Sequence, residues 1–174
     1  MVKIVFLDRD GVINYDKNYV YKIKDFNFFE GIFDFCLSLR HFGYELIILT
    51  NQSGIGRGYY TLEEFHKVNN WMLKQFSSKG IEILDVFFCP HRPDENCRCR
   101  KPKPEMFLKA FKKYSVDVKR SWMIGDRETD VLAAKEAGIK QTILINNLSD
   151  GVLNKSNAAF IMDNLSEALE VIKN

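Results

Sequence analysis

The sequence predicts an α/β fold: a mostly parallel sheet with helices on both faces. Three observations predict it. Short apolar runs of strand length recur along the chain, separated by stretches with helical spacing. The strand runs are continuously apolar rather than alternating, as strands buried on both faces are. Acidic and hydroxyl residues follow several of these runs, and in such sheets ligands bind just outside the carboxyl ends of the strands.

Taken in order, Val2 to Leu7 reads as the first buried strand, and Gly31–Phe42 as the first helix. Glu45 to Leu49 is the second strand. Leu62–Lys79 is a helix whose start carries Thr61 and, three residues on, Glu64, the spacing of a capping box. Asp85 to Phe88 is a strand, and Glu105–Tyr114 is a helix with Pro104 suited to its first turn. Ser121 to Ile124 is a strand, followed by helix Glu128–Ala137 and then Gly138, which suits the residue past a helix end. Gln141 to Ile145 is the last strand and Leu165 to Lys173 the last helix. Strand and helix alternate throughout, so the architecture is Rossmann-like. Two segments stand apart: the Gly-rich Gln52 to Tyr60, and the Cys/Pro/basic stretch from Cys89 to Pro104.

The 174 residues are read as a single domain, 1–174, with no repeat or low-complexity segment. A net charge of +2 and 28% charged residues argue against a general affinity for nucleic acid or membranes. No signal-peptide pattern and no long apolar span is seen, which makes a cytoplasmic protein the expectation. Nothing demands more than a monomer.

Asp8-Arg9-Asp10-Gly11-Val12 follows the first strand directly. Residues two apart on an extended chain share a side, so both carboxylates can face one site. A second acidic cluster, Gly125-Asp126-Arg127-Glu128-Thr129-Asp130, follows the fourth strand. Carboxylates converging at a sheet edge repel unless a cation neutralises them, and hard oxygen donors suit Mg²⁺. Such a cation would also let a carboxylate approach a phosphate ester. Thr50 ends a strand with a hydroxyl, and Lys101 is a cation set between Arg100 and Pro102. Taken singly, these two read better as a strand-end cap and a solvated surface lysine.

Cys89, His91, Cys97 and Cys99 form the pattern Cys-x-His-x5-Cys-x-Cys. Three thiolates and one imidazole on a short loop match a structural, four-coordinate Zn²⁺ site. With no ligand position left for water, its expected work is to order the loop and to place Arg100 and Lys101. Cys36, beside Phe35 and Leu37, reads as core, and Trp71, Met72 and Phe76 as the apolar face of a helix. His41 and His66 read as surface or partly packed.

Asp8-Arg9-Asp10-Gly11-Val12, Thr50-Asn51, Lys101 and Gly125-Asp126 resemble, in order, the four motifs of the haloacid dehalogenase-like phosphatase superfamily. The resemblance implies that Asp8 is the nucleophile forming an aspartyl phosphate, and that Asp10 is the general acid and base. It implies Mg²⁺ ligation by Asp8, the backbone carbonyl of Asp10, and Asp126. Thr50 and Lys101 would hold the phosphoryl group, and no large cap domain is present. The short cysteine loop is similar to that of two branches, one acting on heptose bisphosphates and one on histidinol phosphate. Asn14 to Val20 and Thr50 to Gly58 resemble the heptose branch. That implies removal of the 7-phosphate of a sugar bisphosphate in nucleotide-activated heptose biosynthesis, for lipopolysaccharide or capsule. It also implies substrate contacts from Asp16, Lys17, Asn18, Tyr19, Asn51, Gln52, Ser53, Arg100 and Arg127. Arg57 is a further candidate, because a guanidinium can grip a second phosphate with two hydrogen bonds. The histidinol-phosphate branch is the enzymatic alternative. A catalytically inactive zinc-stabilised interaction module is the alternative of another class.

Overall fold

In the computed structural model, which describes residues 1–146 and 156–173, six strands form one sheet: β1 (Ile4–Leu7), β2 (Glu45–Asn51), β3 (Asp85–Cys89), β4 (Trp122–Gly125), β5 (Gln141–Ile145) and β6 (Phe160–Met162). The order is β3-β2-β1-β4-β5-β6, and every neighbouring pair is parallel. The predicted parallel α/β sheet is the one found.

Alternation along each strand splits the core in two. Val5, Leu7, Leu46, Ile48, Ile124, Ile143 and Ile145 face α1 (Ile32–His41), α3 (Leu62–Ser78) and α6 (Leu165–Lys173). Ile4, Phe6, Ile47, Leu49 and Met123 face α4 (Glu105–Lys113) and α5 (Glu128–Glu136). Every residue of β1 and β4 is buried, as strands covered on both faces require. Cys36, Met72 and Phe76 are fully buried, Trp71 packs against Phe26 and Phe28, and His41 and His66 are exposed.

The capping box at Thr61 and Glu64 is formed in both directions. Gly138 follows α5 with a φ of 96°, a conformation that favours glycine. Pro104 stands at the cap just before α4, one residue outside the first turn.

Several elements differ from the sequence reading. Strands β2 and β3 run on to Asn51 and Cys89, so Thr50, Asn51 and the first cysteine are held by ladder bonds instead of by loops. Within the Gly-rich segment lies α2 (Ser53–Gly56), a single turn too short to leave a periodic signature. Strand β6 was not predicted: it has three residues, of which Phe160 and Ile161 are exposed, so no buried run marks it. The start of β1 also shifts, to Ile4, while Val2 makes an isolated bridge to Val116.

Candidate active site

Strands β1 and β4 are neighbours although far apart in sequence, and the order of connection reverses between them. Crevices at such reversals are where doubly wound sheets take ligands. Asp8 is the first residue past β1 and Asp126 the first past β4. The backbone N–H of Asp8 donates to Ile124 O at 3.0 Å, which fixes the end of one strand to the other.

Around them is a cavity of about 340 Å³. Its lining includes Asp8, Asp10, Asp16, Asn18, Tyr19, Thr50, Asn51, Gln52, Ser53, Arg57, Arg100, Lys101 and Arg127, together with Asp130 and Tyr60. Most positions expected to meet substrate therefore share one wall system. Lys17 does not: it is exposed and lies outside the lining, just before the bend at Asn18 and Tyr19. Asp126 is half-buried and lies outside the lining, next in sequence to the lining residue Arg127.

Lys101 is buried, and its ammonium donates to Asp8 Oδ1 at 3.0 Å, Asp130 Oδ1 at 2.6 Å and Leu49 O at 2.7 Å. Burial alone would lower the proton affinity of Lys101, but the charges of Asp130 and Asp8 outweigh it and keep the lysine protonated. Asn51 fixes the lysine from behind. Its Oδ1 accepts from Lys101 N at 3.1 Å and its Nδ2 donates to Lys101 O at 3.2 Å. Asn51 thus holds Lys101 in addition to lining the cavity.

Asp8 and Asp10 meet opposite environments. Burial, and then the charge of Asp130, push the Asp8 carboxyl well above the usual carboxylate range, with Lys101 acting against them. Burial would raise Asp10 too, but the Arg9 charge and hydrogen bonds from Arg9, Asn14 and Gln52 overcome it and hold Asp10 low. Four donations serve that carboxylate. Arg9 Nη2 and Asn14 Nδ2 donate to Oδ1 at 3.0 Å each, while Arg9 Nε and Gln52 Nε2 donate to Oδ2 at 3.1 and 2.9 Å.

Arg9 is only 1% exposed and also donates to Val20 O at 2.8 Å. Sequence alternation points Arg9 away from the site. Only the tertiary fold brings its long side chain back to Asp10, so no local pattern marks it.

Asp8, Asp126 and Asp130 place carboxylate oxygens within 4.8 Å of one another. Asp126 Oδ1 is buried with no hydrogen-bond partner. Burial, then Asp130, push the Asp126 carboxyl up to about 7, with Arg127 and Lys101 opposing. Gly11 has a φ of 92°, and a Cβ there would come within 2.0 Å of Asp126 Oδ2. The donor set, the unpaired oxygen and the glycine cradle fit a divalent cation such as Mg²⁺. Asp130 was read as part of the second acidic cluster but not assigned to the site. Its helical position one turn beyond Asp126 is the signal that finds it. The Asp10 side chain is turned to its own donors and lies outside this trio.

The second predicted metal centre is equally well formed. Cys89 Sγ lies 3.5 Å from Cys97 Sγ and 3.6 Å from His91 Nδ1, which is 3.2 Å from Cys99 Sγ; Cys99 and Cys97 are 3.7 Å apart. Tetrahedral Zn²⁺ with the usual bond lengths gives edges of about 3.5–3.8 Å. Burial raises the Cys89 and Cys99 thiols, while neighbouring hydrogen bonds, first that of the Arg100 backbone, lower Cys97 against its own burial. A bound dication holds all three as thiolates.

At the cavity's outer side, Arg100 Nη1 is buried without a partner, and Arg127 Nη2 donates to Asp16 Oδ2 at 2.6 Å. Asn18 and Tyr19 both have positive φ, 57° and 62°. Two adjacent non-glycine residues in that region carry strain, and strain of this kind gathers at ligand-binding loops.

The HAD-hydrolase-like family model matches residues 98–168. A D-glycero-beta-D-manno-heptose-1,7-bisphosphate 7-phosphatase of Helicobacter pylori (strain J99) is 41% identical over 98% of this chain and 97% of its own. A D-glycero-alpha-D-manno-heptose-1,7-bisphosphate 7-phosphatase of Campylobacter jejuni is 50% identical over 83% of each chain. Among solved structures, D,D-heptose 1,7-bisphosphate phosphatase from B. bronchiseptica, complexed with magnesium and phosphate, superposes with a TM-score of 0.86 at 28% identity, covering 99% of this chain and 98% of the other. The chain belongs to the heptose-1,7-bisphosphate 7-phosphatase family of haloacid dehalogenase-like hydrolases.

Proposed function

We propose that this chain hydrolyses the 7-phosphate of D-glycero-D-manno-heptose 1,7-bisphosphate through a covalent aspartyl phosphate. The observation that carries the reading is the pairing of a buried Asp8–Lys101 contact with the guanidinium groups of Arg57, Arg100 and Arg127 in the lining of one cavity. A bisphosphate needs both: one phosphoryl group at Asp8, the other gripped by arginine. The relatives named for this substrate support the same reading.

In the proposed sequence Asp8 Oδ attacks phosphorus as the ester P–O bond breaks, and Asp10 gives its proton to the leaving sugar oxygen. Water then attacks the phosphorus of the acyl phosphate while Asp10 takes a proton back, releasing phosphate and restoring Asp8. The resting donors of Asp10 favour its base form. An incoming phosphoryl group beside it adds negative charge and raises its proton affinity for the first half. Thr50 and Lys101 hold phosphoryl oxygens, and Arg57, Arg100 and Arg127 take the distal phosphate. Asp16, Asn18 and Tyr19 take sugar hydroxyls. Asp8, the Asp10 carbonyl and Asp126 are the proposed Mg²⁺ ligands. When bound, the cation supplies charge neutralisation between carboxylate and phosphate. The four zinc-loop residues are the proposed Zn²⁺ ligands. No helix among the described residues is long and apolar enough to cross a membrane. A cytoplasmic enzyme acting as a monomer is part of the same proposal.

The test is the ratio of kcat/KM for the heptose bisphosphate to that for histidinol phosphate, with Mg²⁺ present and both sugar anomers assayed. The proposal expects a ratio on the order of a hundredfold or more for the better anomer. A ratio below one would move the enzyme to histidinol phosphate.

A further inference from the structure

Gln52 is 3% exposed, and its side-chain amide is fully engaged. Its Nε2 donates to Asp10 Oδ2 at 2.9 Å and to Thr50 Oγ1 at 2.8 Å, which uses both N–H bonds. Its Oε1 accepts from the Tyr60 hydroxyl at 2.6 Å. One amide therefore bridges the residue read as acid and base and the residue read as holding the phosphoryl group. We propose that Tyr60 is a positioning residue for the reaction, fixing the Gln52 amide so that a single NH₂ group serves Asp10 and Thr50 together. The inference rests on the roles given above to Asp10 and Thr50, and it assigns work to a tyrosine that neither sequence motif nor metal geometry singles out.

The chain of donors runs in one direction. Tyr60 donates to Gln52, and Gln52 donates to both Asp10 and Thr50. Because Thr50 Oγ1 accepts from Gln52, its own O–H remains to donate to a phosphoryl oxygen in the cavity it lines. Chains of this kind polarise one another and strengthen link by link. Without the Tyr60 hydroxyl, Gln52 Oε1 is a buried acceptor lacking its donor. The amide then gains by swinging toward solvent, and both donations are lost at once.

The phenol is itself well placed for a fixed job. Its ring stacks on Tyr21 at 5.0 Å between centroids and 7° between planes. Gly54 leaves the room: a Cβ there would lie 2.1 Å from Tyr60 Cε1. Burial pushes the hydroxyl up to about 12, against the pull of Arg9, so it remains a donor across the working range. Tyr60→Phe keeps ring and stacking and removes only the donor.

The test is a double-mutant cycle on the full chain loaded with Mg²⁺ and Zn²⁺, using the heptose bisphosphate, with Tyr60→Phe, Gln52→Met and both together. All four proteins are read at a temperature where each is folded by its thermal melt. We expect Tyr60→Phe to lower kcat by about fivefold to tenfold with KM changed by less than about twofold. In the Gln52→Met background the same substitution should change kcat by less than about 1.5-fold, since the path through the amide is already cut. A kcat equal to that of the unaltered chain, or an equal fall in both backgrounds, would overturn the proposal. Asp10→Asn is run beside them. If it keeps turnover, the reading of Asp10 fails and takes the inference with it. If it is inactive while Tyr60→Phe is unimpaired, the inference alone fails.

Discussion

The two carboxylates of the first motif, Asp8 and Asp10, lie in charge-rich surroundings, the first buried and the second part-buried, and are driven in opposite directions. Asp8 is raised by burial and by Asp130; Asp10 is held low because Arg9, Asn14 and Gln52 all donate to it. In the metal-free site these directions run opposite to the proposed roles, which need an ionised nucleophile at Asp8 and a proton donor at Asp10; a dication held by Asp8 would favour its carboxylate, and an incoming phosphoryl group would raise Asp10. The same reasoning gives a pH prediction for Asp126. Its carboxyl is pushed up to about 7 in the metal-free protein, chiefly by burial, above its unfolded value of about 4. A raised carboxyl pKa means that the folded state holds the proton more tightly. Its stabilising contribution is complete below the unfolded value and is lost as pH rises through the folded one. Mg²⁺ competes for the same oxygens, so its apparent affinity weakens as pH falls below about 7. Saturating Mg²⁺ should raise Tm by several degrees more at pH 8 than at pH 5, measured by differential scanning fluorimetry; an equal shift at both would contradict the assignment. The lowered Asp10 contributes stability that is present above its unfolded value and lost as pH falls through its folded one, below this window. At this scale the two acidic motifs were legible because Asp8 and Asp126 each follow a strand end, whereas Thr50, inside β2, and Lys101, in the loop beyond β3, were legible only as members of the ordered motif set. Arg9, Tyr60 and the lysine-holding role of Asn51 were not. Each acts through a contact between distant segments, as Asn51 does with Lys101, or through a long side chain folding back, and local spacing carries no trace of either.

The segment from Cys89 to Lys101 makes a chemical centre out of an irregular stretch. Only its first ligand lies in regular strand, at the end of β3; the other three come from the loop that follows. Ordering such a loop costs about 1–2 kcal/mol per residue in backbone entropy, and a four-ligand metal offsets that cost. Arg100 and Lys101 follow at once, so loop order and catalytic geometry are coupled. Removing zinc with a chelator, Mg²⁺ kept in excess, should lower Tm by about 5 °C or more and kcat by about tenfold. Re-addition of Zn²⁺ should restore both, whereas unchanged melting and turnover would deny the centre its structural role. The spacing made this centre readable from sequence, because thiolate and imidazole at those intervals have few other uses. The one-turn α2 and the three-residue β6 were not readable, being too short for a period to show, and β6 exposes two of its three apolar residues.

Across the whole molecule the sheet order explains why these pieces meet. With β1 and β4 adjacent at the sheet centre, Asp8 and Asp126 emerge side by side, and β2 next to β1 brings Thr50 and Asn51 to the same edge. Parallel strands buried on both faces were evident from their apolar runs. That β4 would pair with β1 follows from the doubly wound topology and not from any residue in either strand. The proposed function has one main consequence, that Asp8 itself would carry the phosphoryl group between the two half-reactions. Asp10→Asn with p-nitrophenyl phosphate provides the most direct measurement. That leaving group needs no acid, while hydrolysis of the acyl phosphate lacks its base, so the intermediate should accumulate. Borohydride reduction after a rapid quench, followed by peptide mass spectrometry, should find homoserine at position 8 and unaltered Asp126. Release of nitrophenolate with Asp8 unmodified would mean that water attacks phosphorus directly, and would contradict the account.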